Sequence, residues 1–365
     1  MLDFIPGIEL SRRFYEDAVR PVLNRYFPGL PHAGAHLGPG SDVLGFDTPM
    51  STDHGWGPTV RLFLREEDAG LGEQITGVMR EQLPPVFLGY SVHMAESPAE
   101  PGTPVMAPAP AGALNHRVYP TTVRAFVHEQ LGSDVANSLT AADWLAVPSQ
   151  QLRSLTGGAV HHDGVGELTA ARAHFAWYPH DVWLYLLAAE WQRIGQEEHL
   201  MPRAGYTGDE LGSALIGARL VRSLMSLAFL MESQYAPYPK WFGTAFSRLA
   251  CAADLGPFLW RAQQAPTWPE REESLVAAYE YMARRHNDLD ITAPLPATAG
   301  SFFGRPFRVI HGSAFADAIR AQIADPAVQR IAARPLIGNI DQFSDNTDLR
   351  SNPVWHPVVR RLYTG

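Results

Sequence analysis

Leu37-Gly-Pro-Gly-Ser-Asp-Val-Leu-Gly-Phe-Asp-Thr-Pro-Met-Ser-Thr-Asp-His-Gly-Trp-Gly57 sets glycines at 38, 40, 45, 55 and 57 among the carboxylates of Asp47 and Asp53. A phosphate chain is cradled best by backbone N–H groups with no side chain in the way, which a Gly-Ser pair at a turn into a helix provides. A divalent cation held against that phosphate needs carboxylates a short distance on. Gly40-Ser41 supplies the first element, and Ser51-Thr52-Asp53 begins the second.

Upstream, apolar positions Leu10, Phe14, Ala18, Val19, Val22, Leu23 and Tyr26 recur at helical spacing, predicting a helix over 9–26 that Pro28-Gly29 ends. Downstream, 60–64 and 86–94 have the length and composition of buried strands. Residues 96–112, rich in Pro and Ala, predict a long irregular loop. Short helices are expected over 121–131 and 140–155, and a strand over 159–162 closed by Asp163-Gly164. From 178 to 286 the periodicity is helical almost throughout, in segments 181–196, 209–233, 239–253 and 270–286. A short strand at 307–310 lies among the last helices. The expected fold is α+β: a mixed-sheet domain over 1–165, a helical bundle over 166–290, and a C-terminal region over 291–365 packing back on the bundle.

Composition sets further bounds. The chain has 365 residues, 46% of them hydrophobic and 18% charged, with a net charge of -9 and a pI near 5.9. Such a balance suits a well-buried globular protein and gives no basic field for nucleic acid or anionic membrane. Cys251 is the single cysteine, so neither an internal disulfide nor a cysteine zinc site is available, and its apolar neighbours predict a core thiol. Residues 215–231 are strongly apolar but are interrupted by Arg219 and Arg222, which argues against a bilayer span. No apolar signal core opens the chain, and the cytoplasm is the expected compartment.

The chain resembles the DNA polymerase beta-like nucleotidyltransferase superfamily, whose signature is Gly-Ser, a spacer, then Ser-Asp-x-Asp on a strand. More narrowly, it is similar to an uncharacterised bacterial family of that type known as a domain of unknown function. The matching pieces are Gly38-Pro-Gly-Ser-Asp-Val-Leu-Gly-Phe-Asp47, Ser51-Thr-Asp-His-Gly-Trp-Gly57, Trp177-Tyr-Pro-His-Asp-Val-Trp183, Gln196-Glu-Glu198, Tyr235-Ala-Pro-Tyr-Pro-Lys-Trp241, Arg305-Pro-Phe307 and Ile337-Gly-Asn-Ile-Asp-Gln-Phe-Ser-Asp345. The layout is also similar to that of small-molecule, aminoglycoside-type adenylyltransferases. The resemblance implies ATP and Mg2+ in a cleft between the first two parts, with AMP passed to a small-molecule acceptor rather than to nucleic acid. Gly40, Ser41 and Ser51 would hold phosphate, Asp53 would hold metal, and Asp163 or Glu197 would act as general base.

One departure stands out. Where the superfamily has its second carboxylate this chain has Gly55, and Gly offers a metal no side-chain ligand. Three readings follow: Asp53 works with a carboxylate from elsewhere, such as Asp47 or Asp163; His54 joins it and favours a softer metal; or the site binds nucleotide without turnover. In the helical half, Lys240 follows a turn stiffened by two prolines and is a candidate point charge on phosphate, with Tyr235 or Trp241 stacking on a base; its alternative is an ordinary surface lysine. Arg222 lies on a polar stripe with Arg219 and Ser226, either beside the nucleotide or simply solvated. His161 and His162, adjacent on a strand, are expected to point to opposite faces. Neither a Walker-type phosphate loop nor a zinc-protease His-Glu-x-x-His occurs.

Overall fold

The computed structural model describes residues 3–109, 112–132 and 139–364. The chain folds as two compact units, Met1–Ser138 with Gln151–Ala176, and Leu139–Gln150 with Trp177–Gly365. The first unit therefore runs to 176 rather than 165. Residues 291–365 fall in the second unit together with the helices of the bundle.

The first unit is built on a four-stranded mixed sheet. Its strands are β1 (His32–His36), β2 (Thr59–Leu64), β3 (Arg117–Thr122) and β4 (Ala159–Asp163), in the order β3-β2-β1-β4. β1 runs antiparallel to both neighbours, pairing Ala35 with Arg61 on one side and Ala33 with Asp163 on the other. β2 and β3 are parallel, from Thr59 beside Arg117 to Leu64 beside Thr122. β1 and β3 escape a reading of local pattern, the last two residues of β3 falling in the helix expected over 121–131, which starts at Val123. His-Ala-Gly-Ala-His in β1 has little intrinsic strand preference, yet all five residues are buried.

The reason lies in what packs on β1. The N-terminal helix Gly7–Phe14 passes through a π-helical turn, Tyr15–Val19, into Arg20–Tyr26, so the expected single helix carries a bulge. The Tyr15 ring packs against Gly34, where an added Cβ would sit 2.5 Å from it. Leu10, Phe14, Val19 and Leu23 join Val60, Leu62, Leu64, Ile75 and Met79 in the core on this face. Each such side chain, fully buried, is worth about 1.5–3 kcal/mol.

The segment 86–94 is not one strand. It is a tight ribbon, Val86–Phe87 against Tyr90–Ser91, followed by a strand start at Met94. The Pro- and Ala-rich stretch contains the hairpin Met94–Glu96 with Pro104–Met106, and its residues 110 and 111 lie outside the described ones.

β4 departs from β1 by a bulge between Gly34 and Ala35, which leaves His161 as the extra residue. The alternation expected of His161 and His162 is lost there, and both rings stack near Tyr15, with centroids at 6.1 and 6.2 Å.

The second unit is mainly helical. Its long helices are His180–Glu197, Glu210–Met231 and Trp268–Asp288. The periodic segment 239–253 breaks into Pro239–Phe246 and Ala252–Gln264. Helix Gly312–Arg320 crosses His180–Glu197 at a glycine contact. A Cβ on Gly312 would lie 2.6 Å from the Trp191 carbonyl oxygen, and one on Gly195 would lie 2.6 Å from the Ser313 amide. Trp191 and Phe315 stack at 4.3 Å beside that crossing.

Among the described residues, Glu210–Met231 is one helix long and apolar enough to cross a membrane, and half of its apolar window is buried inside the unit. Its Arg219 and Arg222 pair with Glu197 and Asp345. Cys251 is buried, and burial first, with Glu232 adding to it, pushes its thiol up to about 12.

Candidate polyphosphate site

Residues 37–58 connect β1 to β2. Because these strands are antiparallel neighbours, the whole excursion leaves and returns at one end of the sheet. Gly40-Ser41 and Asp53 therefore belong to the same loop system.

Gly38 and Gly40 have φ of 117° and 139°, which side-chain-bearing residues rarely adopt. At Gly40 the requirement is doubled, since a Cβ would lie 2.3 Å from Asp42 Oδ1. The chain then closes a hydrogen-bonded turn rather than a helix: the amides of Leu44, Gly45 and Phe46 donate to the carbonyls of Gly40, Asp42 and Ser41.

Behind the turn lies a buried pair that sequence reasoning did not single out. His36 Nε2 is 2.8 Å from Asp42 Oδ2, with the residues only 3% and 6% exposed. Burial works to raise the Asp42 carboxyl. The hydrogen bond and charge of His36, and the charge of Arg117, outweigh it and hold the group below the ordinary range.

Arg117 opens β3, beside Thr59. Its Nε and Nη1 are buried without a hydrogen-bond partner, and so is His36 Nδ1. Buried N–H donors such as those of Arg117 are costly when left unpaired, and an acceptor such as an anion would satisfy them. Arg61, across Gly38, is by contrast engaged: its Nε donates to the Leu37 carbonyl and its Nη1 to Glu129. No local pattern marked Arg117, because its place beside the turn depends on strand order.

The expected metal ligands are differently employed. Asp47 Oδ2 accepts the Gly7 amide at 2.7 Å and the Trp56 indole Nε1 at 3.0 Å, so it caps the first helix, whose own N-cap is Pro6. Asp53 is not on a strand. It ends the 3-10 turn Pro49–Asp53, is exposed, and pairs with the equally exposed His54 at 3.0 Å. Ser51 closes a reciprocal cap with Thr48, accepting that residue's amide at 3.0 Å. Gly55 has φ 61° and donates its amide to the Pro104 carbonyl, so a left-handed turn stands where the superfamily pattern has a strand.

Mg2+ requires several oxygen ligands in near-octahedral array. Among the described residues no three His, Cys, Asp or Glu side chains gather as a metal would need. The donor set of Asp47, Asp53 and His54 does not fit that ion.

The two candidate bases are also committed. Asp163 pairs with Ala33, the far end of β1 from the turn. Its oxygens accept the amides of Gly166 and Thr169 and the Thr169 hydroxyl, capping helix Glu167–His174. Burial works to raise this carboxyl, but those hydrogen bonds outweigh it and keep it below the usual range.

In the second unit, Glu197 faces Arg219, with both oxygens 3.0 Å from the guanidinium. Arg222 pairs with Asp345. Tyr235 is buried against Trp177 and Tyr178, with ring centroids at 4.9 and 5.1 Å, so it is no open stacking platform. Lys240 is exposed at the start of helix Pro239–Phe246, its Nζ 4.9 Å from the Trp241 ring centre. The structure thus gathers Gly40, Ser41, Asp47, Ser51, Asp53 and His54 in one excursion. It places Asp163 at the other end of the sheet, and Glu197, Arg222, Tyr235 and Lys240 in the second unit.

Comparison with known proteins gives two likenesses. A family model described as a domain of unknown function (DUF4037) matches residues 144–242. No curated protein matches the chain. Among solved structures it is similar to a nucleotidyltransferase-like protein from Exiguobacterium sibiricum 255-15, at 9% identity and a TM-score of 0.31, over 76% of this chain and 78% of that one.

Proposed function

We propose that this chain is a nucleotidyltransferase-like protein whose first unit grips the polyphosphate of a nucleotide, ATP being the expected one, and holds it without turnover. The observation that carries this reading is the 38–41 turn at the end of the sheet where Arg117 opens β3, its charge reaching Asp42 while its Nε and Nη1 are buried without a hydrogen-bond partner. Positive φ at Gly40 leaves that stretch of backbone without a side chain, and Arg117, whose charge reaches Asp42 behind the turn, keeps two buried donors without a hydrogen-bond partner. The absence of turnover follows from Asp47 and Asp163 being spent on helix caps, and from the turn at Gly55.

Calorimetric titration with ATP, ADP and AMP tests the proposal. Affinity is expected to rise with phosphate number, and Arg117→Gln is expected to weaken ATP about tenfold, the scale of one charged hydrogen bond. Asp53→Ala leaves ATP affinity unchanged. No ATP binding by the wild type, or an unaltered affinity in the Arg117 variant, overturns it.

A second reading is supported by Asp53 itself, which is exposed and shares the excursion that carries Ser41. In it, a hydroxyl of a small-molecule acceptor attacks the α-phosphorus of ATP and forms the new phosphoester bond as pyrophosphate leaves. The acceptor proton passes to a general base. Pyrophosphate release over a panel of small metabolites, lost in Asp53→Ala, would establish this reading over the first.

A further inference from the structure

The second unit carries a groove of about 570 Å³, in the size range of small-molecule sites. Leu200, Tyr206, Ile216 and Phe307 form its apolar walls, and Arg203 and Arg305 its charged ones. Tyr206 is 65% exposed, and its ring meets Phe307 edge-on at 5.6 Å. The groove has no carboxylate in its lining, although acidic residues outnumber Lys and Arg 38 to 29 in the chain.

The arginines of this unit fall into two sets. Arg219, Arg222, Arg271 and Arg308 each meet a glutamate or aspartate. Among the described residues, Arg203 and Arg305 have no carboxylate partner, and the Arg305 guanidinium lies 5.9 Å from the ring centre of Phe302. Both charges act on one neighbour, His199, whose imidazole stacks on Phe302 at 4.4 Å. Burial first, then Arg203 and, more weakly, Arg305 hold that imidazole below its ordinary range against a hydrogen bond with the Gly195 backbone.

We infer that this groove binds a small organic anion, with a carboxylate, sulfonate or phosphate head between Arg203 and Arg305 and an aromatic or branched apolar body against Tyr206, Ile216 and Phe307. Guanidinium forks suit such planar or tetrahedral oxyanions, and an aromatic wall suits a flat body. The site lies wholly in the second unit and does not depend on the polyphosphate turn.

Fluorescence titration of the full chain with 8-anilinonaphthalene-1-sulfonate, an aryl anion, provides the test, alongside its uncharged analogue N-phenyl-1-naphthylamine. Arg203→Gln with Arg305→Gln is expected to weaken the sulfonate about tenfold and to leave the neutral analogue unchanged. Both arginines are exposed, so the thermal midpoint should hold and serve as the folding control. Displacement of the dye by 1-naphthoate and by 1-naphthyl phosphate ranks the head groups. A sulfonate affinity within about twofold of wild type in the double variant overturns the inference, as does neutral analogue binding equal to that of the anion.

Discussion

His36 Nε2 and Asp42 Oδ2 meet at 2.8 Å between two buried side chains, and the Gly40 backbone lies directly against the same carboxyl group. The turn at Gly40 is thus braced from inside by a charge-assisted hydrogen bond. Asp42→Asn keeps the shape and removes the charge, and should cost about 1.5–3 kcal/mol of stability, read from urea unfolding. A change below about 0.5 kcal/mol would show that the pair does not brace the turn.

Gly40 and Gly55 separate two effects of glycine. Both have positive φ, but Gly55 faces open space while a Cβ at Gly40 would strike Asp42 Oδ1. Gly55→Ala should cost about 1–2 kcal/mol from conformation alone. Gly40→Ala should cost more and also weaken ATP, because the backbone proposed to face phosphate must move. Equal losses in the two variants would count against the close contact.

Gly55→Asp writes in the second carboxylate of the superfamily signature. It should not create Mg2+-dependent ATP binding, because residue 55 sits on a left-handed turn and not two places along a strand from Asp53. Calorimetry with and without Mg2+ decides the matter, and metal-dependent tightening would contradict the geometry described.

At the crossing of helices His180–Glu197 and Gly312–Arg320, an alanine at 195 or 312 would drive a Cβ to 2.6 Å from backbone. Either substitution should cost about 1–3 kcal/mol through overpacking. Scanning calorimetry checks this, and Gly243→Ala, which meets nothing within 4 Å, provides the comparison.

His161, bonded to Ser11 Oγ at 2.9 Å, is held neutral: burial lowers its pKa from 6.5 to about 4. The unfolded chain binds a proton below pH 6.5 that the folded one refuses until pH 4. The stability gained from a neutral His161 is therefore present above about 6.5 and lost as pH falls toward 4. His161→Gln should flatten that slope in unfolding measured between these values, and an unchanged slope would assign it to other groups.

Much of the α+β arrangement could be read from the chain itself. The apolar run at 60–64 became β2, 159–162 became β4, and helical periodicity located the second unit. β1 was not legible, since its five small or polar residues form a strand only because Tyr15 covers Gly34 and two partners flank it. At the site, Gly40-Ser41 stood out because positive φ leaves a local mark. The role of Asp47 did not, because its partner Gly7 is far away in sequence, and Arg117 reaches the site only through the β2–β3 pairing. Caps and orphaned donors are settled by tertiary placement, which spacing alone does not encode.

Asp47 holds the Gly7 amide and the Trp56 indole on a single oxygen. The amino-terminal helix and the late half of the 37–58 excursion share that one fastening, so an event at either end is felt at the other. The exchange rate of the Gly7 amide proton, together with the emission of Trp56, thereby becomes a built-in gauge of whether the loop is at rest or disturbed.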